Sequence, residues 1–318
     1  MDTHVEEGIL STVALFDGLS IGLTDFDIWY YGPFDHATYS FTQMREVIDR
    51  YVENGTLQRE GPFVVFPGST HLAKERVQGG MYAEDKYARV RRAARVLRYV
   101  PFVRMVAACN TLAFGTARKE ADIDVFIVAE KNRLFIANML SMITLHLMRL
   151  RLHGMHKTNR ICLSFFVSTN GMDMSRFALS DGDPYLVQWT RALVPIFSAG
   201  DTLKRFVDEN AVWLARYFNF AKYAQPVHRL VVADSKFSRI IRWIGEVVLY
   251  PIAPALDSVF SRYKKHKCER WLNTPLLQAN SSVVVDRSTI KSHEEDRRAF
   301  YRDKMKSRVK EALLSRNS

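Results

Sequence analysis

Residues 106–128 read VAACNTLAFGTARKEADIDVFIV, and the fold turns on this stretch. Two apolar runs, 106–109 and 125–128, have the length and composition of buried β-strands. The polar loop between them carries the turn glycine Gly115 and ends in Asp122-Ile123-Asp124. Side chains at i and i+2 of a strand point to one side, so the two aspartates present their carboxylates together. Paired carboxylates on a rigid strand suit Mg²⁺, a hard cation usually held by one or two carboxylates plus the phosphates of a substrate.

Upstream, residues 71–104 turn basic, and Tyr87, Val90, Ala94 and Leu97 fall on one helical face. This predicts an amphipathic helix leading into the first strand, whose cations, Lys86 among them, make either a phosphate-binding face near the aspartates or, as favoured for most of the arginines, a solvated face that also docks the acidic head. Downstream, 130–132 predicts a turn, 133–151 a long buried helix, and 160–168 (RICLSFFVS) the next buried strand. His146, His153, His156 and Cys162 lie close together in sequence, but no Cys-x-x-Cys or His-x₃-His spacing is present, so zinc is not expected. From 183 to 220 the pattern is helical, with Tyr185, Trp189, Leu193 and Phe206 as core positions and breaks at Pro195 and Ala199-Gly200. Helix continues over 240–263 with kinks at Pro251 and Pro254; 281–285 predicts a strand, and His293 opens a charged helical run.

The first 70 residues read as a winged helix. Ile9, Leu10, Val13 and Phe16 make one helical face, Thr24 with Asp27 forms a variant capping box, and Thr42 opens a third helix that Asn54-Gly55 ends. Residues 57–60 and 63–66 around Gly61-Pro62 give a wing-type hairpin. DNA binding by this head is discounted on charge. Eleven acids against three arginines leave it at −8, while the remainder of the chain holds +19 of the total of +11. Phosphate neutralisation supplies most non-specific DNA affinity, so such a head is repelled.

The basic body ends in two clusters, one at Arg262, Lys264, Lys265, Lys267 and Arg270, the other along a terminal helix over 297–310. Such clusters fit nucleic acid, an anionic membrane surface, or a solvated helix face laced with i,i+4 pairs. A length of 318 residues predicts two or three domains, and 47% hydrophobic with 25% charged residues is the composition of a soluble globular protein. Three scattered cysteines fit a reducing, cytoplasmic setting, and the acidic N-terminal stretch gives no export signal. The apolar segments 134–150 and 240–260 contain charged residues and prolines and are expected to be buried helices, not membrane spans.

The loop and D-x-D of residues 110–124 resemble the DNA polymerase β-like nucleotidyltransferase superfamily. There a strand leads into Gly-Ser, a loop of small residues, and Ser-Asp-x-Asp on the next strand. Here Asn110 stands in the glycine position, Thr111 in that of the serine, and Ala121 where a serine precedes the first aspartate. Asn is the non-glycine residue that best tolerates a left-handed backbone, and Thr keeps a hydroxyl. The resemblance implies that Asp122 and Asp124 hold Mg²⁺, that Asn110 and Thr111 bind the phosphates of an NTP such as ATP, and that Arg118 or Lys119 neutralises pyrophosphate. In active members a later strand supplies a third carboxylate. The position available here is Ser164, with Asp173, Asp181 and Asp183 following in what reads as loop.

Through Phe16-Asp17-Gly18, Leu23-Thr24, the Phe102-Val103-Arg104 lead-in, the D-x-D strand and Ile161-Cys162-Leu163, the whole arrangement is similar to a group of bacterial proteins with a winged helix, a nucleotidyltransferase-like domain and an α-helical C-terminal region. It implies an α+β fold with a small mixed sheet, divided as 1–70, 71–170 and 171–318. Three functions follow as expectations: Mg²⁺-dependent transfer of a nucleotidyl group to an unspecified acceptor, a catalytically degenerate version acting as nucleotide sensor or assembly module, and nucleic-acid binding through the basic body.

Overall fold

Short-range caps set the first elements. The computed structural model describes residues 3–36, 38–151, 158–217, 225–276, 283–292 and 296–316. Helix α1 (Thr3–Gly18) leads to β1 (Leu23–Thr24), α2 (Asp25–Tyr31), α3 (Phe41–Glu53) and a hairpin of β2 (Gln58–Glu60) and β3 (Phe63–Val65). The expected capping box opens α2: the Thr24 hydroxyl accepts from the Asp27 N–H at 3.1 Å, and the Asp27 carboxylate accepts from the Thr24 N–H at 2.9 Å. The third helix starts earlier than Thr42, because Ser40 and Gln43 form a full capping box of their own. The three strands pair in the order β1-β3-β2, over a core of Ile9, Leu10, Phe16, Ile28, Met44 and Ile48.

The second unit begins with α4 (His71–Leu97), followed by β4 (Val103–Ala108), the single turn α5 (Asn110–Ala113), β5 (Ile123–Ala129), α6 (Leu134–Leu147) and β6 (Ile161–Ser168). After a 3-10 turn at Met174–Phe177 come α7 (Pro184–Ala192), β7 (Val194–Ser198) and α8 (Thr202–Leu214). Then follow α9 (Lys236–Leu249), α10 (Ala253–Leu272), β8 (Val283–Val285), β9 (Thr289–Ser292) and α11 (Arg298–Arg316). The chain is therefore mixed α+β with two sheets, the larger ordered β7-β4-β5-β6-β9-β8. Only β5 and β6 run parallel, joined through α6; the other pairs are antiparallel. Alternation along the strands sorts two cores. Val106, Ala108, Val125 and Ile127 face α4 and α6, while Met105, Ala107, Phe126 and Val128 face Trp189 of α7 and Phe206 of α8.

Several expectations need correction. The stretch 171–318 is not wholly helical, since β7, β8 and β9 from it complete the large sheet. Residues 194–198 form a strand because Val-Pro-Ile-Phe is a β-branched and aromatic run, and Pro195 is tolerated on an edge strand. The last helix does not stay with the C-terminal part: α11 packs along α1, setting Tyr301, Met305, Val309 and Ala312 into the head's core. Its basic residues follow suit, with Lys304 3.8 Å from Asp17 and the Arg308 guanidinium over the Phe66 ring. Of the two apolar segments, α6 is largely buried, whereas α9 exposes its apolar side. Among the described residues no single helix is long and apolar enough to cross a membrane; α9 and α10 meet that test only as a pair, and they are bent by 86°. The expectations at His153, His156, Ser281 and His293 lie outside the described residues.

Candidate functional site

The large sheet brings three ligand-type side chains together. Asp122 and Asp124 sit at the start of β5, and the parallel register sets Cys162 of β6 opposite Asp124. One potential ligand atom from each of Asp122, Asp124 and Cys162 lies within 4.8 Å of the others. The register then slips between Asp124 and Phe126. Such a bulge re-aims side chains, and Ser164 comes near Asp124 while its buried hydroxyl has no hydrogen-bond partner among the described residues. The position facing the aspartates is thus shared by Cys162 and Ser164, where Ser164 alone was expected.

Burial, and then the neighbouring Asp122, push Asp124 up to about 6, against the hydrogen bond from Asn110 and the polar side chains of Cys162 and Ser164 nearby. Cys162 is pushed upward by burial and by Asp124, so it stays a neutral thiol that can donate to the carboxylate. Buried Cys109, at the end of β4, is also held well above the usual thiol range, by burial first and Asp124 second.

Asn110 adopts the left-handed backbone expected of it, with φ of 55°. Its side chain has a further task. Nδ2 donates to Asp124 Oδ2 at 2.7 Å, while its Oδ1 accepts from Trp189 Nε1 at 2.7 Å. The loop that follows is fastened from three directions. The Tyr87 hydroxyl donates to the Leu112 carbonyl, Phe114 packs edge-on against Phe16 and Tyr31 of the head, and the Ala117 N–H donates to the Gly79 carbonyl. A Cβ on Gly79 would lie 2.0 Å from the Thr116 hydroxyl, so only glycine allows this approach. Thr111 is exposed at the start of α5. Arg118 and Lys119 are exposed on the turn before Asp122, and among the described residues no hydrogen bond or ion pair ties either side chain to the aspartates.

Lys86 is the site residue that sequence reasoning misplaced among surface charges. It is 1% exposed, and its ammonium donates to the Ala121 carbonyl at 2.6 Å and to Asn159 Oδ1 at 2.9 Å. It thereby pins the residue before Asp122 to the turn before β6. The signal was present: Lys86 interrupts the apolar stripe of Ala83, Tyr87 and Val90, all buried. Burial pushes its pKa down, with Asp122 acting in the opposite direction.

A third carboxylate is not found among the described residues. Asp173 caps the 3-10 turn through the Ser175 N–H, Asp181 lies 3.8 Å from Arg302, and Asp183 caps α7 and pairs with Arg298 at 2.8 Å. Beside Asn110 a cavity of about 180 Å³ opens, lined by Phe165, Tyr185, Trp189, Lys291, Arg298 and Tyr301. It is smaller than the ~300 Å³ at which small-molecule sites usually begin. Lys291 in its wall is pushed down to about 8 by burial and then by Arg298, with Asp296 3.8 Å away.

The donor set of two carboxylates suits one hard divalent cation that also takes oxygens from a ligand. A thiol in the third position does not suit Mg²⁺, so the residues fit a single cation rather than a bridged pair. No family model matches the chain, and no curated protein or solved structure matches it either.

Proposed function

We propose that this chain is a nucleotidyltransferase-like protein of the DNA polymerase β-like kind that binds an NTP with one divalent cation and serves as a nucleotide-sensing or assembly module. The observation that carries this reading is the juxtaposition of Asp122, just before β5, and Asp124 on it with Cys162, not a carboxylate, on the parallel neighbour β6. Asp122 and Asp124 would hold the cation, which would neutralise phosphate charge. Thr111 and the backbone around Asn110 would meet the phosphates at the exposed start of the loop, and Arg118 or Lys119 would add charge there. Fastening by Lys86, Gly79 and Phe114 keeps that loop in place without a ligand, which lowers the ordering cost of binding.

The element order of the head, with its sheet order β1-β3-β2, supports the winged-helix reading of residues 1–70. Its role is protein docking. Arg59 is paired with Asp25 and Asp49 at 2.9 and 2.6 Å, Arg45 lies 3.6 Å from Asp25, and α11 covers one side. The ion pairs of Arg298, Arg302 and Lys304 likewise count against the terminal cluster as a nucleic-acid surface.

Transfer catalysis is the second reading, favoured by retention of both aspartates. Calorimetry with ATP and Mg²⁺, run beside a pyrophosphate-release assay, separates the two. Cation-dependent ATP binding without release is the expected result; release that is lost in Asp124→Ala would establish the enzyme, and no cation-dependent binding would end both readings.

A further inference from the structure

Helix α9 is amphipathic in the reverse sense. The side turned to the protein is polar: Ser238 is buried, Arg242 pairs with Asp234 at 2.8 Å, and Glu246 accepts from Arg104 at 2.6 Å. Gly245 lies on the same side, where a Cβ would come within 2.7 Å of the Pro101 ring. The opposite stripe holds Phe237, Ile240, Ile241, Ile244, Val247 and Val248 at helical spacing, all exposed. Exposure reaches 63% at Phe237 and 66% at Val248, and Trp243 beside the stripe is 62% exposed. Core packing does not explain such a helix. An uncovered apolar face of this kind marks a contact with something else.

Charge selects the occupant. Residues 236–272, covering α9 and α10, hold eight Lys or Arg against three acids, and of the eight only Arg242 is buried and spent on Asp234. Two of those acids are engaged within the fold: Glu246 with Arg104, and Asp257 with the N–H groups of Phe135 and Ile136. A two-fold contact with a second copy would set this positive region against itself. An anionic surface with an apolar interior is complementary to both features at once. At 14 residues, α9 is about 21 Å long, too short to cross a hydrocarbon core of about 30 Å. The 86° bend to α10 likewise rules out one continuous rod. Trp243 and Tyr250, both exposed, are the aromatic types that settle at headgroup level.

We propose that α9 lies in the plane of an anionic lipid bilayer, with its apolar stripe in the acyl boundary and the surrounding Lys and Arg on the headgroups. The proposal does not depend on nucleotide binding, and it places the protein at a membrane surface without a span.

Flotation of the full chain with phosphatidylcholine vesicles, with and without phosphatidylserine, tests it. Expected are binding to the phosphatidylserine vesicles that weakens as salt rises, and a blue shift of tryptophan emission that is reduced in Trp243→Phe. Ile244→Glu combined with Val248→Glu, both at exposed positions, should keep the circular dichroism spectrum and weaken partitioning by at least about tenfold. Equal binding to phosphatidylcholine alone, no binding to phosphatidylserine vesicles at low salt, or partitioning unchanged in the double variant would overturn it. So would a dimer in light scattering that the double variant converts to monomer, because a second copy would then cover the stripe.

Discussion

Replacing Asp124 by asparagine should stabilise the protein near neutral pH. Burial and Asp122 raise this carboxyl to about 6 in the folded chain, against an ordinary value of about 3.9. A group that binds its proton more tightly when folded contributes stability at low pH and loses it as pH rises. The loss spans the window between about 4 and about 6. At about 1.4 kcal/mol for each pH unit, the ionised Asp124 costs the folded state on the order of 3 kcal/mol at pH 7. Asparagine keeps an oxygen for the Asn110 N–H and carries no charge, so Asp124→Asn should recover a large part of that amount. Urea denaturation of both proteins across this pH range measures it. The difference should be small at the acid end and grow in favour of the variant as pH rises, and Mg²⁺ should narrow it by stabilising only the wild type. A difference that does not change with pH, or a variant less stable at pH 7, would refute the assignment of Asp124 as a half-buried carboxylate under electrostatic load.

Further outcomes follow from the fastening of the loop. Lys86→Met removes an ammonium that satisfies the Ala121 carbonyl and Asn159, and should cost about 2 kcal/mol in urea denaturation. It should also weaken cation binding, by loosening the residue before Asp122. Phe114→Ala empties a place between Phe16 and Tyr31 and should cost about 3–5 kcal/mol. Limited proteolysis of that variant should cut nearest the loop between β4 and β5. Gly79→Ala should be destabilising by about 1–3 kcal/mol, whereas Gly80→Ala, where nothing lies within 4 Å of the added Cβ, should be near neutral or slightly stabilising in the same assay.

What the sequence disclosed depended on the range of the interaction. Thr24 with Asp27, the hairpin turn at Gly61 and the apolar runs of β4, β5 and β6 are local signals, and each produced its element where expected. The left-handed Asn110 was legible for the same reason, since its backbone preference is intrinsic. Strand β7 was not, because Pro195 argues against a strand until the edge position beside β4 is known. Cys162 was weighed only with the nearby histidines and not with the aspartates, because its place opposite Asp124 depends on a parallel register and a bulge, both set by tertiary pairing. Lys86 looked like one more cation on a basic helix, and only its partners from two distant turns identify it as buried structure. The segment at α9 was read as a buried helix from hydropathy alone, which measures how apolar a face is and not which way it points. Resemblance at residues 110–124 led to the two aspartates, while the third position depended on geometry that composition does not encode.

The most direct measurement is a crystal structure of the protein with Mn²⁺ and a non-hydrolysable ATP analogue. Mn²⁺ stands in for Mg²⁺ at oxygen ligands and is located by its anomalous signal. The account predicts one peak held by Asp122 and Asp124, with the triphosphate running from it toward Thr111 and Cys162 left uncoordinated. A peak away from β5, or an analogue bound with no contact to either aspartate, would contradict it.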